Sequence, residues 1–166
     1  MGRHDVHSPS IYSLLDESLR GGKARFSLPE FRNENGDLWK GDYLLLRFLR
    51  HFQIPEIILF NENGTDVFRV KDSKNTHSEE LKFESLWIFE TPQELNEKFD
   101  SLISRVNSET IIVVQNIHER ASSDHYWEAL QERAQVRASL DFFRLGVLMF
   151  SHDFREKQRF VLKYPA

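Results

Sequence analysis

Apolar positions recur in two rhythms along this chain, one helical and one strand-like. Ile11, Leu14, Leu15 and Leu19 follow Ser8-Pro9 at three- and four-residue spacing. That spacing predicts a helix with proline in its first turn, stopped at Gly21-Gly22. Residues 23–40 read as irregular, with a turn at Glu34-Asn-Gly-Asp37. A second helix is predicted from about Asp42 to Phe52. Tyr43, Leu44, Leu45, Phe48, Leu49 and Phe52 form one broad apolar face, with Arg47, Arg50 and His51 on the other side or at the end. Short β-branched or aromatic runs predict strands at Glu56–Phe60, Val67–Val70 and Phe83–Glu90, with polar residues 71–82 as a loop. Thr91-Pro92-Gln93-Glu94 is a helix start: threonine caps, proline takes the first position and glutamate the third. Leu95, Phe99, Leu102, Ile103 and Val106 form the stripe that follows.

Thr110–Val114 predicts a buried strand. Ser122-Ser-Asp124 opens a further helix, with Tyr126, Trp127, Leu130 and Ala134 inward. Val136–Phe143 and Gly146–Ser151 read as two strands joined at Arg144-Leu145, and Arg159–Tyr164 as the last strand. This order predicts a parallel sheet ending in an antiparallel strand pair. One gap is informative. Only Asn61 to Asp66 separate the first two strands. Nucleotide-type α/β folds place a glycine-rich turn and a helix at this point. A parallel crossover needs about a dozen residues. Asn63-Gly64 inside the gap is instead hairpin chemistry.

The 166 residues are read as one domain, with residues 1–40 an N-terminal helix and irregular segment and 41–166 the α/β core. Apolar residues make up only 40%, but 14 phenylalanines can fill a core with fewer side chains. A charged share of 29% argues against a membrane protein, and a net charge of -4 against nucleic acid as a partner. The absence of cysteine excludes disulfides, thiolate nucleophiles and Cys-based metal sites. The N-terminal residues lack the apolar core of a signal peptide, and no run reaches membrane-span length, so a cytoplasmic protein is expected.

Several segments resemble one family. Ile111-Ile-Val-Val-Gln-Asn-Ile-His118, Tyr126-Trp127, Val136 through Ser139-Leu-Asp-Phe-Phe-Arg-Leu-Gly146, and Phe160-Val-Leu162 look like the C-terminal third of a bacterial class I SAM-dependent methyltransferase family. That family occurs in Bacteroidetes and is related to small-molecule O-methyltransferases. Arg3-His-Asp-Val-His-Ser-Pro9 with Ile11-Tyr12 resembles its N-terminal motif, and Tyr43–Phe52 the helix before its first strand. The resemblance covers about two-thirds of the chain. It implies an α/β, three-layer Rossmann-like methyltransferase sheet, here truncated: six or seven strands, mostly parallel, with an antiparallel C-terminal strand pair. The departures lie where the cofactor would sit. Family members carry a glycine-rich loop after the first strand, because glycine lets the backbone approach the cofactor. Here one glycine, Gly64, stands in Asn61-Glu-Asn-Gly-Thr-Asp66. The acidic residue that holds the ribose has no clear counterpart. Where the family has two adjacent aspartates after the Ile-Ile-Val-Val strand, this chain has Gln115-Asn116. Amides are poor ligands for a hard cation and cannot act as general bases near neutral pH.

Two functional expectations follow. The first is a methyltransferase-like protein without SAM binding or catalysis, with no catalytic residues and no cofactor. It serves as a binding module that pairs with itself as a homodimer or with an active relative. The alternative is an active SAM-dependent O-methyltransferase whose compressed site is lined by Asn61, Glu62, Gly64, Glu90 and Asn116. Each residue also has a plainer reading. Gln115 and Asn116 can bond the strand end and the next loop, and Glu90 can sit beside the helix start at Pro92. His4, His7 and His118 could make a His-only metal site but lack a ligand spacing, so no metal is expected. Asp141, flanked by apolar residues, needs a partner if buried, with Arg144, Arg3 or His4 as candidates. Ser8, Ser122 and Ser123 lack a nucleophile elbow. Trp39, Trp87 and Trp127 are expected in the core rather than on a stacking surface. A nucleic-acid role would need Lys23–Arg32 and Arg155–Arg159 gathered on one face.

Overall fold

A two-residue turn closes the gap between the first two predicted strands. In the computed structural model, which describes residues 28–70 and 83–162, β2 (Glu56–Asn61) and β3 (Gly64–Val70) pair antiparallel from Glu56↔Arg69 to Asn61↔Gly64. Only Glu62 and Asn63 remain for the bend. The Asn63 N–H donates to Asn61 Oδ1 at 2.8 Å, and Gly64 takes φ 128°, a backbone conformation that costs a side chain strain. No crossover helix fits between these strands.

Eight strands and three α-helices stand among the described residues. The others are β1 (Phe31–Arg32), α1 (Tyr43–His51), β4 (Ser85–Phe89), α2 (Pro92–Leu102), β5 (Thr110–Gln115), α3 (Ala121–Glu132), β6 (Ala138–Asp141), β7 (Leu145–Met149) and β8 (Gln158–Val161). The single sheet has the order β1-β3-β2-β4-β5-β7-β6-β8. Its centre, β2-β4-β5, is parallel, and α2 makes the crossover from β4 to β5. After α3 the chain lays down β6 and returns as β7, which inserts between β5 and β6 antiparallel to both. β8 joins the far side of β6 in parallel.

The fold is therefore α/β, but the sheet is mixed rather than mostly parallel, with four of its seven pairings antiparallel. Two causes account for this. A two-residue turn can only reverse the chain, and the edge on that side is completed by β3 and by β1, paired antiparallel through Phe31↔Val70. At the other side the short link after Asp141 turns β7 back along β6. The expected antiparallel strand pair is β6–β7.

Helices cover both faces. Leu86 and Ile88 of β4 and Ile111 and Val113 of β5 pack with Leu44, Leu45, Phe48 and Leu49 of α1. The alternate residues Trp87, Phe89, Ile112 and Val114 pack with Leu95 and Phe99 of α2 and Trp127 and Leu130 of α3. The period-two alternation of a strand thus supplies two cores. The predicted helix starts hold for α1 and α2: Asp42 accepts from Leu44 N at 2.7 Å, and Thr91 from Glu94 N at 3.1 Å. α3 begins at Ala121 with no side-chain cap, and Ala134 lies exposed beyond its end rather than inward. All three tryptophans are buried, as expected of core residues. The Glu34–Asp37 turn forms around Asn33, whose Oδ1 accepts from Asp37 N at 2.9 Å. The Ser8 helix, the Arg3–Pro9 motif, the 71–82 loop and Tyr164 lie outside the described residues. No helix among the described residues is long and apolar enough to cross a membrane.

Candidate functional site

The register of the central strands brings their C-terminal ends to one edge. Leu59 pairs with Ile88 and Phe89 with Val114, so Asn61, Glu90, Gln115 and Asn116 lie along that edge. Asn61, Glu62 and Gly64 are exposed on the hairpin tip, and Glu90 is exposed beside the helix start. Asn116 closes the gap between β4 and β5: its Nδ2 donates to the Glu90 carbonyl at 3.0 Å. Its backbone, at φ 58°, donates to the Arg144 carbonyl at 2.8 Å. Asparagine tolerates this left-handed conformation better than most residues. The amide is thus engaged locally, in the plainer of its two expected roles.

The five residues predicted to share a site do not line one cavity. Asn116 and Gln115 do border a cavity of about 460 Å³, together with Asp42, His118, Phe143 and Arg144. The hairpin tip and Glu90 lie outside its lining. The site is therefore displaced from β2 towards the β5–β7–β6 side of the edge.

Its centre is His118, on the turn between β5 and α3. Nε2 meets Asp141 Oδ2 at 2.6 Å, and Nδ1 bonds Asp124 of the first turn of α3. Asp141, at the end of β6, is only 7% exposed, and its other oxygen accepts from Phe143 N at 2.8 Å. The expected partners of Asp141 included Arg144. Instead Arg144 reaches across to Asp42 at 2.8 Å, while Asp42 also caps α1. The short link after β6 carries Phe143 out at φ 70° and 70% exposed, its ring 5.4 Å from the imidazole. Burial lowers the affinity of His118 for a proton, but hydrogen bonds and negative charge from Asp124 and Asp141 outweigh it and hold the pKa above the usual 6.5.

An imidazolium donating through both nitrogens has no lone pair for proton abstraction. His118 accordingly works as a clamp that ties the β5–α3 turn to α3 and to β6. Among the described residues no three His, Asp or Glu side chains are grouped as a metal site. The sequence signal for this cluster was the unmet need of Asp141 for a partner. Asp124 looked like an ordinary helix-start residue, so the triple contact was not visible. No known family model matches the chain, and no curated protein or solved structure matches it.

Proposed function

We propose that this chain is a methyltransferase-like binding module, held in the cytoplasm, that neither binds SAM nor transfers methyl groups, and that acts by pairing with itself or with an active relative. The observation carrying this reading is the Asn61–Gly64 hairpin. Asn61 and Gly64 close the β2–β3 pairing and the Asn63 N–H donates to the Asn61 side chain, where a cofactor loop would need free N–H groups and a following helix. The residues present therefore do not fit SAM. Asn116 adds support, since its amide bridges the strand ends that would border a cofactor crevice. The β6–β7 pair agrees with the ending that the family resemblance implies. Isothermal titration with SAM is expected to give no saturable heat, and sedimentation velocity to give a dimer or a complex with an active relative. Micromolar SAM binding with saturable methyl transfer to a small hydroxyl compound refutes the reading and favours a compressed but active O-methyltransferase.

A further inference from the structure

A second cavity, of about 410 Å³, opens at the opposite edge of the sheet, where β7 ends and β5 and β6 begin. Its lining combines the apolar Ile103, Val106, Phe150 and Phe154 with the cationic Arg137 and Arg155. Arg137 is half-buried and rigidly held. Its Nε and Nη2 donate to the Phe154 carbonyl at 3.3 and 2.9 Å, and Nη2 also to the Arg155 carbonyl at 2.7 Å. Those three bonds use every N–H on Nε and Nη2, leaving the two on Nη1. Among the described residues neither Arg137 nor Arg155 pairs with a carboxylate. A fixed, half-buried guanidinium without a counter-charge is costly to keep. Neighbouring Lys157 feels the same positive field: burial, then Arg159 and Arg137, lower its pKa.

We propose that this cavity binds an organic carboxylate with an apolar body. One immobilised cation matches one negative charge, and an N–H left on Nη1 can donate a charge-assisted hydrogen bond to a carboxylate oxygen. Ile103, Val106, Phe150 and Phe154 would cover the apolar portion. Arg155, exposed on the rim, adds attraction without fixed geometry. The proposal is independent of any link to methyltransferases, because it uses the other edge of the sheet.

Octanoate is the probe, with octanol and octylamine as neutral and cationic controls, followed by calorimetry and amide NMR shifts. Octanoate should bind about tenfold or more tighter than octanol, the factor expected for one charge-assisted hydrogen bond. Octylamine should not bind. Shifts should concentrate at Asn107, Ser108 and Gln135, which border the cavity. Arg137→Gln should abolish the preference for octanoate over octanol. Because that change also removes bonds to the Phe154–Arg155 backbone, two further variants guard the test. Arg155→Glu should weaken octanoate and leave octanol unchanged, and Val106→Trp should block both. Equal binding of octanoate and octanol, shifts confined to other surfaces, or undiminished binding to Val106→Trp overturns the proposal.

Discussion

Replacing His118 by leucine should destabilise the protein by an amount that shrinks as pH rises. The contact to Asp141 dominates, because that carboxylate is 7% exposed and would keep only the Phe143 N–H as a partner. A hydrogen bond between charged groups contributes about 1.5–3 kcal/mol. Asp124 has a side chain 56% exposed, so solvent screening limits its share to less than about 1 kcal/mol. The gap between wild type and variant should therefore be about 2–3 kcal/mol near pH 6, where the carboxylates are ionised and the imidazole protonated. The folded pKa of His118 lies above 6.5. A group whose pKa is raised on folding gives its full stabilisation below the unfolded value and loses it as pH climbs through the folded one. Above that point the imidazole carries one N–H, so one of its two carboxylates faces a lone pair.

The assay is urea unfolding, followed by the fluorescence of the three buried tryptophans, at steps from about pH 6 to pH 9. The other six histidines are common to both proteins, so the difference isolates position 118. The gap should narrow across this range, and the His118 ring should titrate above 6.5 by NMR. A gap constant with pH, or a ring that titrates below 6.5, refutes the clamp.

Three other substitutions probe the frame around the site. A Cβ at position 146 would lie 2.3 Å from Cη2 of the buried Trp127 ring, so Gly146→Ala should cost about 1–3 kcal/mol or more through overpacking; a lowered urea midpoint with red-shifted emission checks it. Gly64 has open space around it but φ 128°, so Gly64→Ala should cost about 1–3 kcal/mol from backbone strain alone, with an unchanged midpoint as the contrary result. Phe143 holds φ 70° with its ring 70% exposed, so Phe143→Asn should raise stability by several tenths to about 1 kcal/mol; a fall in midpoint would show that the contact with His118 outweighs the strain.

What could be read before folding was what neighbouring residues decide. The hairpin followed from chain length: six residues cannot cross over, and Asn63-Gly64 supplies a turn. The start of α2 followed from Thr91, Pro92 and Glu94, which act within one turn. β1 escaped because two residues, Phe31 and Arg32, set no pattern; they form a strand only because Val70 and Arg69 offer an open edge. The position of β7 escaped for a similar reason. Its hairpin with β6 is local, but pairing with β5 as well depends on contacts between Val113 and Val147 that no spacing records.

The polar residues show the same division, and it bears on function. At the C-terminal edge three groups that could have faced a ligand are engaged by neighbours distant in sequence: Asn116 with Glu90, Asp141 with His118, Arg144 with Asp42. A ligand there must displace bonds already made and restore what it displaces, which costs affinity. At the opposite edge Arg137 is oriented by carbonyls that cannot neutralise it. An anion arriving there meets a positioned donor and breaks no ion pair, which is the condition for preorganised binding. The two-residue hairpin between Asn61 and Gly64 shapes the first edge and does not reach the second, so an anion can bind at the second edge without disturbing the bonds that close the first.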